Sequence, residues 1–502
     1  MTDRRPNILL VMADQLSAPF LRAYGGDTVV SPAIDRLAAE GVVFDTAYSN
    51  SPLCAPARFS MMSGQLNSKI GAYDNASEFA ASVPTFAHYL RSAGYQTSLI
   101  GKMHFVGPDQ LHGYEERLTT DIYPADFGWT PNWGDPDGRF DWWFHNLDSV
   151  TAAGVADVSN QLDYDDEVGF RAVRKLRDLA RTRDERPWHV TVSFTHPHDP
   201  YVARQEFWDL YDGVEIPLPT TSDLPAEAVD PHSARLRHVI TADTTTVTDD
   251  DVRRARRAYF ANISYVDHWL GELRATLEHH GMADDTIIVF TADHGDMLGE
   301  RGLWYKMSFF EHSARIPFVL HAPDRFAPGR SAAPITLMDV APTLLDLAGA
   351  DRPAQFDGDS VVPLIDATER TVVGEYMGEG AIAPVFMIRR RDASGDWKYV
   401  WSQPDPPQLY DLAADPTELA NLAGSDEHAG LAAMFEAEIH DRWDVDAIDA
   451  AVRSNQRARA DVDRALRQGR YLAWDHQPVV DASEQYMRNH LDLNDVESNR
   501  RA

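Results

Sequence analysis

The chain has 502 residues and carries 46 Lys and Arg against 78 Asp and Glu, a formal net charge of −32. Such a surface repels polyphosphates and excludes a nucleic-acid partner, and a single cysteine excludes an intrachain disulfide. Lysine is scarce, with only Lys69, Lys102, Lys175, Lys306 and Lys398, so a lysine inside a motif carries information.

At the N-terminus, Ile8 to Ala13 is a short apolar run closed by Asp14. It is too brief for the apolar core of a signal peptide, and no stretch approaches the ~20 apolar residues of a membrane span. The expectation is a soluble, cytoplasmic protein with no membrane partner. The same run has the continuous apolarity of a strand buried on both faces. Ser31-Pro32 through Gly41 reads as a helix with Pro at its start and Gly past its end, and residues 84–94 carry the same punctuation. Further strands are predicted over 95–100, 188–194, 286–291 and 316–321, and helices over 166–184 and 249–280. This alternation predicts an α/β fold, a large mostly parallel sheet sandwiched by helices. From about Thr371 the character changes. Short β-like pieces at 372–377, 385–390, 397–401 and 408–412 follow one another with no helix between them, which predicts a small antiparallel sheet. Charged helical segments over 431–468 and an extended tail complete the chain.

In open α/β sheets ligands bind beyond the carboxyl ends of the strands. Four predicted strand ends here carry Asp14-Gln15, Lys102-Met103-His104, His196-Pro197-His198-Asp199 and Asp293-His294-Gly295-Asp296. Each alone reads equally as a polar turn; together they place carboxylates, imidazoles and a scarce lysine on one sheet edge. Oxygen donors with one imidazole suit a hard divalent cation such as Ca²⁺, Mg²⁺ or Mn²⁺, and the imidazoles leave zinc open. Cys54, in Cys54-Ala55-Pro56-Ala57-Arg58, precedes a helical stretch, with Pro56 in its first turn. A helix N-terminus with Arg58 one turn on lowers a thiol pKa and attracts anions. A buried, inert cysteine is the plainer reading, against which the two flanking prolines and Arg58 count.

Cys54-x-Pro56-x-Arg58 resembles the Cys-x-Pro-x-Arg signature of the type I sulfatases, in the alkaline phosphatase superfamily. Gly101-Lys102-Met103-His104, His196, Asp293-His294-Gly295, Leu303-Trp304-Tyr305-Lys306 and Glu311-x-Ser313-x-Arg315 are similar to that family's landmarks in the same order. Tyr73-Asp74-Asn75, residues 118–129, 141–145 and 193–211, Trp474-Asp475-His476 and residues 487–490 resemble its choline sulfatase branch. The resemblance implies a catalytic domain over 1–370, a small α+β subdomain over 371–470 and a tail over 471–502 that packs on a neighbouring subunit of a homo-oligomer, a dimer or tetramer. It implies that a formylglycine-generating enzyme converts Cys54 to the nucleophile. It implies one divalent ion, Ca²⁺ ahead of Mn²⁺ or Mg²⁺, held by Asp14, Gln15, the Cys54 position, Asp293 and His294. Arg58, Lys102 and Lys306 then meet the sulfate, His104 lies near nucleophile or sulfate, and His196 protonates the leaving alcohol. Asn75, Trp129 and His145 are the expected contacts of the substrate, choline sulfate, among a stretch that also holds Trp133, Trp142 and Trp143; Asp492 or Asp495 of the tail would add a counter-charge. One departure bears on selectivity. Most sulfatases carry two adjacent aspartates where this chain has Asp14-Gln15, and many carry Asp-Asn where it has Asp293-His294. The phosphonate monoester hydrolase branch and the choline sulfatases share both substitutions, so they do not separate sulfate from phosphonate; a phosphonate monoester hydrolase or phosphodiesterase on the same scaffold is the alternative, and Lys102 and His104 count against it.

Overall fold

The computed structural model describes residues 5–468, apart from 136–137, 139–144, 183, 223, 226–227 and 324, together with tail positions 483, 487, 489, 491 and 492. Its centre is strand Asn7–Asp14, buried along its whole length, as continuous apolarity demands. It pairs in parallel with Trp188–Pro197 on one side and Thr286–Ala292 on the other. Gln96–Gly101 and then Glu116–Arg117 extend the parallel set beyond Trp188–Pro197. On the far side Phe318–His321 runs antiparallel to Thr286–Ala292, followed by Val42–Phe44 and Gly329–Ser331, making eight strands. The reversed strand departs from strict alternation for a physical reason. A parallel return needs a crossover, usually a full helix, and residues 293–317 supply only a 3-10 turn at Glu300–Gly302, a single helical turn at Glu311–Ala314 and a two-residue strand at Arg315–Ile316.

Helices Pro32–Glu40, Asn160–Arg181 and Asp249–His279 cover one face, and Cys54–Ser63, Phe86–Ser92 and Val340–Leu347 the other. Asp249–His279 opens with a reciprocal cap between Thr248 and Asp251. Asn160–Arg181 begins six residues before the predicted start because Ser159 accepts from the Leu162 amide; the acidic run that follows obscured its apolar stripe. The small sheet is a four-stranded antiparallel meander, Arg370–Tyr376, Val385–Asp392, Gly395–Ser402 and Asp405–Asp411. Helix Ala429–Arg442 packs on it through Phe435 and Ile439 against Phe386, Tyr399 and Trp401. The charged helical segments are this helix and a second, Val445–Leu466, which docks on the main body. Among the described residues no helix is long and apolar enough to cross a membrane. Trp142, Trp143, Asp495 and most of the tail lie outside the described residues.

Candidate active site

The strand ends converge as predicted. Asp14 closes the central strand, Asp293 and His294 follow its neighbour, and Cys54 opens helix Cys54–Ser63 from the opposite layer. One ligand atom from each of Asp14, Cys54, Asp293 and His294 lies within 4.8 Å of all the others, and all four residues are buried. Cys54 Sγ is 3.3 Å from His294 Nε2 and 3.9 Å from Asp14 Oδ1. Two carboxylates and an imidazole converging on one buried point fit a hard divalent cation. The Gln15 backbone amide donates to Asp293 Oδ1 at 3.0 Å, and its side-chain Oε1 accepts from Lys306 Nζ at 2.7 Å. Gln15 therefore borders the quartet, with one amide lone pair already committed to Lys306.

Three buried cations surround this point. Arg58 donates from Nε to Asp293 Oδ2 at 2.8 Å and from Nη1 to the Lys102 carbonyl and Ser193 Oγ at 2.6 and 2.8 Å. Its Nη2, 3.6 Å from Asp14 Oδ2, has no hydrogen-bond partner among the described residues. Lys102 pairs with Asp14, placed there by Gly101, whose φ of +103° and 2.0 Å approach of a would-be Cβ to the Ser193 carbonyl oxygen admit only glycine. Burial alone would raise the Asp14 carboxyl; Lys102, Arg58 and His294 overcome it and hold it well below the usual carboxylate range.

Cys54 departs from the sequence-based expectation. Burial and then the Asp14 carboxylate push its thiol up to about 11, so the helix N-terminus and Arg58 do not produce a thiolate. Arg58 spends its charge on Asp293 and Asp14 instead. The residue is a neutral thiol here, which suits a group that is converted before it reacts better than one that attacks as sulfur.

The two histidines of His196-Pro197-His198 are separated, and the prediction for His196 is corrected. His196 turns toward the helices: its Nδ1 lies 2.6 Å from Asp165 Oδ2 and its ring packs edge-on to Tyr265, while its Nε2 is buried with no hydrogen-bond partner among the described residues. His198 enters the site, with Nε2 2.7 Å from Lys306 Nζ, which also lies 2.8 Å from His145 Nε2. Ladder register breaks between Phe194 and Pro197, so the parity of the strand does not carry through to His198. Burial, then Lys306 and Lys102, hold the His198 imidazole well below its ordinary value. His104, at φ 58°, is buried with neither ring nitrogen hydrogen-bonded among the described residues; burial and Lys102 bring it down to about 3.

Aromatic groups line the side away from the quartet. Lys102 Nζ sits 4.3 Å from the Tyr123 ring centre, Tyr123 is 5.1 Å from Trp129, and Trp129 meets His104 edge-on at 5.6 Å. Trp133 has a structural task, donating Nε1 to the Gly378 carbonyl at 3.2 Å. Asn75 accepts from the Ala55 amide at 3.0 Å and so fixes the first turn of the Cys54 helix. Sequence reasoning missed Glu379. It follows the first strand of the small sheet, and its Oε2 is buried without a hydrogen-bond partner among the described residues. Burial and Asp74 raise its carboxyl to about 7 although Lys306 and Arg459 oppose them. The signal was Gly378-Glu379-Gly380: a Cβ on Gly378 would lie 2.6 Å from Leu53 Cδ2, which presses this segment against the residue before Cys54.

A cationic cradle built over a buried, acid-rich metal-binding quartet defines a hydrolase of anionic esters. The chain belongs to the sulfatase family, whose members are sulfuric ester hydrolases: the Sulfatase family model matches residues 6–350. Models described as N-sulphoglucosamine sulphohydrolase, C-terminal, and choline sulfatase enzyme C terminal match residues 299–444 and 450–501. A choline-sulfatase of Rhizobium meliloti (strain 1021) is 53% identical over an alignment of 514 residues covering 100% of this chain and 99% of that one. An arylsulfatase of Clostridium perfringens is 28% identical, covering 84% and 91%. Among solved structures, a phosphonate monoester hydrolase of Agrobacterium radiobacter superposes with a TM-score of 0.69 at 25% identity, covering 87% of this chain and 95% of that one. Sulfatase membership implies a metal ion and a formylglycine derived from the cysteine.

Proposed function

We propose that the protein hydrolyses choline-O-sulfate to choline and inorganic sulfate. The observation that carries this reading is an anion cradle (Arg58, Lys102, Lys306), with the Tyr123 and Trp129 rings beside its Lys102 and a buried carboxyl, Glu379, within electrostatic reach of its Lys306. The first suits a sulfate, the other two a quaternary ammonium, which takes no hydrogen bond and is held by ring faces and counter-charge. The full-length likeness to a choline-sulfatase supports it.

In this reading Cys54, converted to formylglycine by a generating enzyme, supplies a hydrated aldehyde whose one hydroxyl attacks sulfur and whose second expels sulfate afterwards. Asp14, Asp293 and His294, with the second lone pair of Gln15 Oε1, hold a hard divalent ion, Ca²⁺ first and Mn²⁺ or Mg²⁺ next; when bound it supplies Lewis-acid polarisation of the sulfuryl group. Arg58 and Lys102 balance charge on the sulfuryl oxygens. Choline leaves poorly as an alkoxide, so its oxygen takes a proton. The Lys306 ammonium gives it directly, in the role the resemblance assigned to His196; His198, its Nδ1 held by the Asp199 carbonyl at 2.6 Å, accepts from Lys306 at Nε2 and orients it. His104, neutral and unpaired, lies beside Trp129 on the substrate side, and His145 orients Lys306. A homo-oligomer whose tail closes a neighbour's site belongs to the same reading, supported by the family model over residues 450–501.

The test is mass spectrometry of the Cys54 peptide from the natural host together with turnover of choline sulfate, an aryl sulfate and a phosphonate monoester. Formylglycine with choline sulfate preferred is the expected result. An unmodified thiol, or equal turnover of the phosphonate, would overturn the reading. Preference for the phosphonate favours the second reading, a phosphonate monoester hydrolase, for which the fold likeness speaks.

A further inference from the structure

Helix Val445–Leu466 is far from the catalytic strand ends in sequence, yet one of its faces holds segments that border them. Arg453, Gln456 and Arg459 are spaced three apart and so lie along one side of the helix. Arg453 Nη2 donates to the Ile382 carbonyl at 2.6 Å, and Gln456 Oε1 accepts from the Trp133 amide at 3.1 Å. Arg459 reaches furthest in. Buried to 4% exposure, it donates from Nη1 and Nη2 to the two oxygens of the fully buried Asp74 at 2.7 and 2.6 Å. Nη1 also donates to Thr130 Oγ1 at 3.1 Å, and Nε to Asn455 Oδ1 at 2.7 Å, which fixes the fork against its own helix.

Both ends of this fork bear on the site. Asp74 accepts from the Ala76 amide at 3.0 Å and so shapes the turn that holds Asn75. Asn75 in turn accepts from the Ala55 amide next to Cys54. Thr130 adjoins Trp129 of the aromatic wall. We infer that Arg459 is a positioning residue that sets the nucleophile's helix start through Asp74 and Asn75 and the ammonium-binding wall through Thr130. Residues beyond 450 thus take part in the reaction from within the same chain. The inference rests on the sulfate-ester reading above, because the wall matters only to a cationic leaving group.

The experiment compares wild type with Arg459→Met, Arg459→Lys and Thr130→Val as full-length protein. It measures formylglycine occupancy, thermal unfolding, and kcat and KM on choline sulfate and an aryl sulfate. Misplacing a reacting group by about 1 Å costs about 100-fold. Arg459→Met is therefore expected to lower kcat per formylglycine on both substrates by about that factor and to raise KM for choline sulfate alone. Arg459→Lys, which keeps the charge and loses the fork, recovers part of kcat and little of the KM. Thr130→Val raises KM for choline sulfate more than for the aryl sulfate. Loss of activity only in proportion to folded protein, or equal KM changes on both substrates, overturns the inference; if Arg459→Met does not fold, the other two variants decide. Wild type that turns over aryl sulfate but not choline sulfate refutes the substrate reading, while the kcat comparison still judges Arg459.

Discussion

Replacing Glu379 by Gln separates what binds the substrate from what stabilises the fold, because the two effects have opposite signs. In the free protein burial and Asp74 raise this carboxyl from an ordinary 4.5 to about 7, against the pull of Lys306 and Arg459. A carboxyl raised in the folded state costs nothing below the unfolded value and costs progressively more as pH climbs from there to the folded value. Above pH 7 the penalty reaches about 3 kcal/mol. Glu379→Gln removes it, so the variant is expected to unfold at higher temperature than wild type at pH 8 and at nearly the same temperature at pH 4. Binding runs the other way. A carboxylate about 5 Å from a quaternary ammonium at an effective dielectric of about 20 is worth about 3 kcal/mol, roughly 100-fold. The variant should lose about that much kcat/KM on choline sulfate and little on an aryl sulfate, which carries no cation. In wild type KM for choline sulfate should fall as pH rises through 7 and Glu379 ionises, and in the variant that slope should vanish. Calorimetry at two pH values and steady-state kinetics on both substrates supply the readings. Equal losses on both substrates, or a destabilised variant at pH 8, would refute the assignment of Glu379 to the ammonium.

Trp129→Ala removes a ring face worth about 2 kcal/mol to a desolvated cation, so kcat/KM on choline sulfate should drop about 30-fold with a much smaller change on an aryl sulfate; similar losses on both would take Trp129 out of the wall. His198→Ala should cost about 100-fold or more in kcat on choline sulfate, whose alkoxide needs the proton, and far less on a nitrophenyl sulfate. His196→Ala should chiefly lower stability, by about 1–3 kcal/mol, since it leaves Asp165 short of a partner; an activity loss specific to choline sulfate at His196 would reverse that assignment. Removing divalent ions with a chelator should lower stability by about 2.7 kcal/mol relative to protein held at 100 times the dissociation constant. Titrating Ca²⁺, Mn²⁺ and Mg²⁺ back separately shows which ion fits, and a melting temperature indifferent to all three would refute the Asp14, Asp293 and His294 site.

What the sequence made legible was whatever a strand end dictates. Asp14, Lys102, Asp293 and His294 follow buried apolar runs directly, and the rule for open sheets then brings them together without any knowledge of the contacts. The resemblance favoured His196 over His198, and strand alternation could not have separated them, because the ladder breaks between Phe194 and Pro197. The thiol of Cys54 was misread because a helix N-terminus and an arginine count for little when the arginine is already committed to two carboxylates and the sulfur is desolvated. Glu379 and Arg459 could not be placed at all. Their roles depend on how the small sheet and the last helix dock, and docking leaves no period in the sequence, only the two glycines that admit the Glu379 segment.

That division follows the chemistry. In the proposed reading the groups that would meet a sulfuryl centre come from the main sheet and the layer on it. The groups that would meet the ammonium come from elsewhere: Trp129 from an irregular segment and Glu379 from the turn after a small-sheet strand, with Arg459 behind Asp74 and Thr130 on a helix inside the region matched by the choline sulfatase C-terminal model. A sheet edge built for a tetrahedral anion has no use for a carboxylate aimed at its charge, since the two repel. A carboxylate becomes favourable only when the ester carries a cation at its other end. Glu379, one oxygen of which has no hydrogen bond among the described residues and which lies within electrostatic reach of Lys306, is therefore informative beyond its own energy. In an enzyme for simple anionic esters it would cost stability and repel the substrate, and only a zwitterionic ester offsets both.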